Sequence, residues 1–493
     1  MKTDILRELN RQNSLDSMMP LMAFTDEAKI EEMNKQGYYP CFTADSWREQ
    51  FPDVDPKNVL CPQMRLFPAS LIYYDPEHYI CFNTNIYNGV MQFPPFSMTD
   101  SQDDPNAVLL KRIAEGMKAW EERDYLRLLL PFTSEEDGGI AIRILREMLE
   151  REEPNPKLYS TFLSVYTLCN CGAHLLGEEA LRRLTMCKSE EQKKETAEKL
   201  NQFPEDVLTV YRGQASESTP YQKACSWTTD INKAYFFASW RSSDDSRILM
   251  GRVRKENILD YIDGRNEREV LVIPGSVENV RERRCVSWDI FQRIVSADMF
   301  SKKYQFPAES LARNIMAELE DVYKEAGADD HDKNHSLRVA LLANYNYRTE
   351  ILLPLRQRRD GEYQRACRML ADLSQAIVYH DAGRADNTAN SVHGAAGYER
   401  YRQEHGENRA VQFLTTYHCR ADKEAREYWE RNFCGKDAKY LWTAFCVLKD
   451  ADALDRVRFG NLSRDYLDVN TLRTETAKGL VPVAHQLYGA AIK

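Results

Sequence analysis

Histidine is unevenly distributed in this chain. Only nine histidines occur among 493 residues, and six of the nine lie between residues 331 and 418, which is less than a fifth of the chain. Neutral imidazoles are common ligands of divalent transition metals, so this window is either a metal site or a chance cluster of surface side chains. The six are His331, His335, His380, His393, His405 and His418.

Aspartates accompany these histidines. Asp381 directly follows His380, after an apolar stretch that predicts a helix over 367–378, and Asp450 and Asp452 lie close together further along the chain. An aspartate that bridges neighbouring metal ions suits the hydrolysis of phosphoesters. The segment around residue 450 leaves open which of its two aspartates is the ligand, with Asp452 preferred.

The ordered set resembles the HD-domain metal-dependent phosphohydrolases, a family that includes two-metal cyclic-nucleotide phosphodiesterases. The resemblance covers about residues 305–480 and implies one or two divalent ions, of Mn, Fe, Mg or Zn. The resemblance implies that the first ion is bound by His335, His380, Asp381 and Asp452. It implies that a second ion is bound by His393 and His418.

The two remaining histidines of the window have weaker assignments. His331 lies four residues before His335, so one helix would present both on the same face. Either it orients a ligand or contacts phosphate, or it is simply exposed. His405 is expected to be a bystander. A degenerate domain that keeps the metal without turnover also stays open.

A second group of candidate residues lies earlier in the chain and contains no histidine. It consists of Tyr211-Arg212-Gly213 at the end of a predicted strand, Ser226, and the pair Glu267 and Glu269. An arginine offers fixed donors to a pyrophosphate, and a serine hydroxyl braces a carboxylate or a ribose. Two glutamates at i and i+2 of an extended segment point to the same side. One can stabilise positive charge on a ribose while the other accepts a proton.

These motifs together resemble the mono-ADP-ribosyltransferases of the arginine-serine-glutamate class, over about residues 160–300. The resemblance implies NAD as cofactor, bound by Arg212, Gly213, Ser226 and Glu269, and catalysis by Arg212, Ser226, Glu267 and Glu269. In that family the last glutamate is catalytic, and the earlier one accompanies modification of arginine side chains. Only 13 residues separate Arg212 from Ser226, fewer than in many toxins of the class, so the loop around NAD is expected to be short.

The two candidate sites in one chain resemble the pairing in SidE-type bacterial effectors, which attach phosphoribosyl-ubiquitin to host serines. The sequence therefore predicts a bifunctional, toxin-like effector enzyme. It would ADP-ribosylate a protein arginine with NAD, ubiquitin being one candidate acceptor, and hydrolyse a phosphodiester or pyrophosphate with its metal. Two alternatives stay open: an HD nucleotide phosphohydrolase with a non-catalytic transferase-like binding module, and an interaction protein with a purely structural helical block.

The elements that position these residues predict an α+β multidomain protein. We expect a mixed N-terminal domain of unknown role over 1–154, an ADP-ribosyltransferase domain over 155–304, and an all-helical HD domain over 305–493. The second domain is expected to be a split β-sandwich with helices, because short apolar runs such as 270–273 predict strands there.

The composition excludes several classes of protein. Lysine and arginine total 66 against 76 aspartates and glutamates, a net charge of −10, so nucleic acid is not expected as the main partner. No run of apolar residues is long enough for a membrane-spanning helix, and charges interrupt residues 1–11 where a Sec signal peptide would be apolar. The twelve cysteines form no regular framework, which predicts reduced thiols and a cytoplasmic setting. The resemblance to SidE-type effectors implies delivery into the cytosol of a target cell by a non-Sec secretion system.

Overall fold

The computed structural model describes most of the chain. The described residues are 18–23, 25–35, 43–61, 70–87, 90–92, 105–132, 138–168, 173–216, 218–240, 245–264, 266–296, 319–323, 331–357, 361–384, 391–460, 463 and 465–489. The start of the chain and the predicted boundary at 304/305 lie outside these residues.

The first block joins a small antiparallel sheet to helices. Its five strands are adjacent in chain order: β1 (Met19–Pro20), β2 (Val59–Cys61), β3 (Ser70–Asp75), β4 (Ile80–Tyr87) and β5 (Val90–Gln92). The helices are α1 (Glu27–Lys35), α2 (Ala44–Gln50), α3 (Pro105–Glu121), α4 (Tyr125–Leu129) and α5 (Gly138–Arg151).

Three helices then lead into a second sheet. They are α6 (Pro156–Leu168), α7 (Gly177–Cys187) and α8 (Glu190–Asn201), and a capping box between Ser189 and Gln192 fixes the start of α8. The strands are β6 (Val207–Gln214), β7 (Ser226–Thr228), β8 (Arg247–Arg254), β9 (Ile258–Ile262), β10 (Glu269–Val272) and β11 (Glu278–Arg284). Helix α9 (Ile231–Trp240) follows β7, and α10 (Trp288–Ser296) follows β11.

The second sheet brings the predicted transferase residues to its centre. Its strand order is β11-β8-β6-β7-β10-β9, and the neighbouring strands are antiparallel. Strand β6 meets β7 at Tyr211 and Thr228. Strand β10 pairs Glu269 with Thr228 and Leu271 with Ser226. The end of β6 and the start of β10 therefore flank the short central strand β7.

Every element described between residues 331 and 489 is helical, in agreement with the predicted helical block. These are α11 (Lys333–Tyr347), α12 (Leu353–Leu355), α13 (Glu362–Tyr379), α14 (His393–His405), α15 (Arg409–Tyr417), α16 (Asp422–Asn432), α17 (Ala438–Leu454), α18 (Glu475–Gly479) and α19 (Val481–Gly489), with short π and 3-10 turns between some of them. The chain is thus a mixed α+β protein, predominantly helical with two antiparallel sheets.

The hydrophobic cores connect the blocks. One cluster packs Tyr235 of α9 and Phe291 of α10 with the interior of the helical block. A second packs helix α6, through Phe162, with the first sheet and with Leu271 of β10. Burial of apolar surface of this kind holds the six-stranded sheet between its neighbours.

Candidate functional site

One carboxylate lies at the centre of the histidine cluster. Asp381 Oδ2 is 3.5 Å from Nε2 of both His335 and His380, while Oδ1 is 3.1 Å from His393 Nε2 and 3.6 Å from His418 Nε2. The Asp381 side chain is only 2% exposed. The structure therefore brings five predicted residues together and divides the four imidazoles between the two oxygens of Asp381.

Helix ends deliver these side chains. His380 and His418 directly follow α13 and α15, and His393 is the first residue of α14. Residues at helix ends lie where neighbouring helices meet, so one cluster can collect ligands from several helices. His335 lies within the first turn of its helix, α11, where the Asp332 carboxylate accepts its backbone N–H at 2.8 Å.

The same cap corrects one expectation. Because Asp332 caps α11, His331 precedes the helix, and His331 and His335 do not share a helical face as predicted. The two rings are nevertheless adjacent, with centroids 5.4 Å apart, and His331 Nε2 is 3.9 Å from Asp381 Oδ2. His331 thus reaches the cluster through the chain segment before the helix.

Hydrogen bonds set the orientation of three of the rings. Nδ1 of His335 lies 2.8 Å from the Asp455 carboxylate, and Nδ1 of His380 and of His418 each lie 2.6 Å from a backbone carbonyl three residues earlier in the chain. Such bonds place the proton on Nδ1 and direct the Nε2 lone pair towards a metal. Sequence reasoning missed Asp455, although it lies only three residues after Asp452.

Asp455 is itself held by two arginines. Arg338 donates to both of its oxygens, at 2.5 and 2.9 Å, and Arg458 donates at 3.2 Å. Arg458 also lies 3.4 Å from His331 Nε2. These cations keep the buried carboxylate ionised, so it can orient His335. On the other side, Arg384 donates to Asp381 Oδ1 at 2.9 Å.

The structure separates the roles of the two aspartates on α17. Asp452 Oδ1 lies 3.4 Å from His335 Nε2. Asp450 points elsewhere, because its oxygens accept the backbone N–H groups of Arg473 and Thr474 at 2.9 and 2.8 Å. Asp452 is the predicted ligand that reaches the cluster. Its side chain is 37% exposed, against 0–2% for the other five, so the cluster opens to solvent on this side.

Two glycines allow the close helix packing that brings together His393 and His418, the other half of the cluster. A Cβ on Gly394 would lie 2.2 Å from the carbonyl oxygen of Thr415, and one on Gly397 would lie 2.1 Å from that of Tyr379. Helix α14 can therefore approach the ends of α13 and α15 only because these positions carry no side chain. His393 and His418 meet as a result, with Nε2 atoms 3.0 Å apart.

A cysteine that sequence reasoning missed lies in this half. Potential ligand atoms of His393, His418 and Cys419 lie within 4.8 Å of one another, as do those of His335, His380 and Asp381. Burial raises the pKa of the Cys419 thiol, but the nearby His393 and His418 lower it more, to about 7. The position of a cysteine directly after a candidate ligand was the available signal.

The buried charges prepare the cluster for a cation. Burial raises the pKa of Asp381, but the surrounding imidazoles outweigh burial and hold it well below its usual range. Burial lowers the pKa of His380 to about 4, so that ring is neutral at pH 7. Burial also lowers the pKa of His393, but its bonds to Asp381 and Cys419 raise it to about 9. Two groups of nitrogen, oxygen and sulfur donors around an ionised carboxylate fit one or two divalent ions.

His405 lies apart from these ligands. Its Nε2 is 2.9 Å from the Tyr379 hydroxyl, and its side chain is 41% exposed. His405 therefore stays outside the candidate ligand set.

The transferase candidates form a smaller group around Glu269. The hydroxyls of Ser226 and Tyr166 both donate to Glu269 Oε1, and Glu269 Oε2 is buried without a hydrogen-bond partner. Arg212 donates to the carbonyls of Ser226 at 2.8 Å and Thr219 at 3.3 Å. The structure thus brings Arg212, Ser226 and Glu269 together. Tyr166, on α6, was missed because it lies 103 residues from Glu269 in the chain.

The two glutamates differ in position, which corrects the expectation of one extended segment. Strand β10 begins at Glu269, and Arg268 before it adopts a left-handed conformation with φ of 47°. Glu267 therefore lies in the preceding turn, half-buried, where its carbonyl accepts the Thr228 hydroxyl at 2.8 Å. Strand alternation does not apply across such a turn, so the two carboxylates need not face the same side.

Gly213 has a packing role in this structure. A Cβ there would lie 2.0 Å from the carbonyl oxygen of Ala234 and 2.4 Å from the backbone nitrogen of Ala238. The glycine thus allows α9 to lie directly on β6, behind Arg212.

Compared with known proteins, the chain matches no family model, no curated protein and no solved structure. The described helices include none that is both long and apolar enough to cross a bilayer. The nine cysteines among the described residues are all free thiols, and five of them are buried.

Proposed function

We propose that the helical block is a metal-dependent phosphohydrolase that cleaves a phosphodiester or a pyrophosphate. One observation carries this proposal: the two oxygens of Asp381 face two separate pairs of imidazoles, His335 with His380 and His393 with His418. A single carboxylate shared between two sets of ligands is the arrangement that a two-ion phosphoesterase requires.

In this proposal, the position of each residue in the cluster determines its role. His335 and His380 would hold an ion through Nε2, because their Nδ1 atoms are already bonded, and Asp381 would be a ligand shared by both positions. Bound divalent ions would lower the pKa of a water nucleophile and neutralise the charge of the phosphate. Asp452 completes the first set on the solvent side, where the substrate enters. His331, outside the ligand set, would hydrogen-bond a phosphate oxygen.

Hydrolysis by metal-stripped and reconstituted protein tests this proposal. The protein is stripped with a chelator, reloaded with Mn²⁺, Fe²⁺, Mg²⁺ or Zn²⁺, and assayed on bis(p-nitrophenyl) phosphate and on an ADP-ribosylated peptide. We expect turnover only after reloading, and none in Asp381→Asn. Protein that binds metal stoichiometrically and cleaves neither substrate would count against it.

A second candidate function is supported by the group around Glu269. We propose that the six-stranded sheet carries an NAD-dependent ADP-ribosyltransferase. The buried Oε2 of Glu269 is free to accept a ribose hydroxyl of NAD, while Ser226 and Tyr166 hold Oε1. The carboxylate then stabilises positive charge on the ribose as nicotinamide leaves. Arg212 is the donor to the pyrophosphate, and Glu267 accepts the proton of an arginine acceptor.

The two proposed activities form a sequence. Protein-linked ADP-ribose contains a pyrophosphate, which the metal centre would cleave to leave phosphoribose on the protein. Ubiquitin is the acceptor suggested by the likeness to SidE-type effectors, and the setting would be the cytosol of a target cell.

Mass spectrometry of a ubiquitin-containing lysate incubated with the protein and NAD separates these steps. A gain of phosphoribose supports the coupled pair, and a gain of ADP-ribose supports the transferase alone. In Glu269→Gln both gains should vanish. If neither ubiquitin nor any lysate protein is modified, the sheet is a non-catalytic binding module and the phosphohydrolase acts on free nucleotides.

A further inference from the structure

The two halves of the histidine cluster differ in donor chemistry. The first half, around His335 and His380, offers imidazole nitrogens and carboxylate oxygens only. The second half contains a sulfur, because Cys419 directly follows His418 and lies half-buried beside it. Of the nine described cysteines, Cys419 is the one that belongs to a group of potential metal ligands.

We propose that Cys419 is a thiolate ligand of the second metal ion, together with His393, His418 and Oδ1 of Asp381. The inference rests on the metal centre of the proposed phosphohydrolase and assigns its second ion a ligand outside the set that the sequence predicted. The ligand atoms of the two histidines and the cysteine lie within 4.8 Å of one another, so small side-chain movements would bring all three onto one ion.

The fold around Cys419 supports this role. Asn408 caps the start of α15, and the helix ends at Tyr417, so His418 and Cys419 lie together on its C-terminal turn. Gly394 lets α14 pack against this turn, since a Cβ there would lie 2.2 Å from the Thr415 carbonyl oxygen and 3.2 Å from the His418 ring. Cys419 Sγ lies 3.8 Å from the Thr416 carbonyl oxygen, and its side-chain partner is the ring of His393, a member of the same ligand group.

The ligand set defines the class of ion. A thiolate prefers Zn²⁺, Fe²⁺ or Co²⁺ over the hard ions Mg²⁺ and Ca²⁺, whereas nitrogen and oxygen ligands alone also accept Mn²⁺. The second position should therefore bind a softer ion than the first. As the sulfur–metal bond forms, the proton of any un-ionised Cys419 thiol leaves to solvent, because the thiolate is the ligand.

Cobalt titration of metal-stripped protein tests the assignment. Two Co²⁺ ions should bind, the second with a sulfur-to-cobalt charge-transfer absorption in the near ultraviolet. Cys419→Ser should lose that band and hold its second Co²⁺ at least about tenfold more weakly, because loss of even an indirect metal contact typically costs that much affinity. Cys434→Ser, at an exposed free thiol, should keep both band and affinity.

Alkylation of the unaltered protein gives a second measurement that needs no folded variant. Iodoacetamide should label Cys419 in the stripped protein and not after Zn²⁺ is added, while Cys434 is labelled in both. Two bound Co²⁺ ions without the band, or labelling of Cys419 that Zn²⁺ does not change, would overturn the ligand assignment and leave the phosphohydrolase intact. Failure of the stripped protein to bind any Co²⁺ would instead overturn the metal centre itself.

Discussion

The Nε2 atoms of His335 and His380 lie 3.3 Å apart in a site where both side chains are fully buried. Each ring has its Nδ1 atom bonded to another acceptor, so the two Nε2 lone pairs point towards the same space. Two lone pairs at this distance are stable only when a cation, a proton or a metal ion, lies between them. The arrangement therefore suits a bound cation, as the proposed metal centre requires.

Asp381→Asn should remove most of the bound metal from both positions. The amide keeps the volume but loses the charge, and one of its two ends becomes a donor that faces imidazole nitrogens. Metal content of the purified protein, measured by mass spectrometry, checks this. Asp437→Asn, at a 65% exposed carboxylate, is the matched control and should keep full metal content. Retention of both ions by Asp381→Asn would refute the bridging role.

Asp455→Asn should weaken metal binding without abolishing it. Asp455 orients His335 from behind and touches no proposed metal position, and loss of such a partner typically costs about 10- to 100-fold in metal affinity. Competition with a chromogenic chelator measures the change. Asp465→Asn, whose side chain is 73% exposed, should leave the affinity unaltered. An equal affinity in the two variants would mean that His335 needs no orienting bond.

Gly394→Ala should separate the two histidines of the second half. The added Cβ meets a backbone oxygen at 2.2 Å, which no side-chain movement relieves, and overpacking of this kind costs about 1–3 kcal/mol. We expect a lower free energy of unfolding and loss of one ion of two. Gly139→Ala is the control, because nothing lies within 4 Å of its Cβ. Unchanged stability and metal content in Gly394→Ala would show that α14 can shift freely.

Tyr166→Phe should slow NAD cleavage by about tenfold or more. The tyrosine positions Glu269 through one hydrogen bond, and a bond to a charged group contributes about 1.5–3 kcal/mol. Because Tyr166 itself is not proposed to touch NAD, kcat should fall while KM changes little. Tyr159→Phe removes a comparable bond from the same helix to Asp260 and should leave kcat near the wild-type value. A parallel fall in both variants would assign the effect to the docking of α6.

His485 should make the stability of the protein depend on pH. Burial against Tyr466 and Phe236 lowers its pKa to about 4, from 6.5 in the unfolded chain. Between these values the unfolded state binds the extra proton, so the stability is present above pH 6.5 and is lost as the pH falls. From pH 7 to pH 5 the loss is about 2 kcal/mol.

Urea unfolding in the presence of a chelator measures this dependence. His485→Gln should lose about 2 kcal/mol less than the wild type over the same interval, because the titrating group is absent. His405→Gln, at an exposed ring, should behave like the wild type. Equal pH dependence in the wild type and His485→Gln would contradict the prediction.

The types of residue and their order determined much of the candidate metal centre. The sequence predicted His335, His380 with Asp381, His393, His418 and Asp452, and the structure brings all six together. It also predicted the helical block and the strand-rich block, because apolar periodicity is a local property. Two local predictions were wrong. His331 and His335 do not share a helical face, because the helix begins after Asp332. Glu267 and Glu269 do not lie in one extended segment, because Arg268 between them has a left-handed conformation.

Contacts between distant segments were decided only by the tertiary structure. Asp455 behind His335, Cys419 beside His393 and Tyr166 on Glu269 are packing relationships that no spacing in the chain encodes. Asp452 rather than Asp450 reaches the cluster because α17 is oriented so that Asp450 accepts the backbone N–H of Thr474. The sequence by itself determined which chemical groups are available and on which elements they lie, because those follow from residue type and local periodicity. Which oxygen faces which imidazole depends on the docking of helices, which the whole core determines.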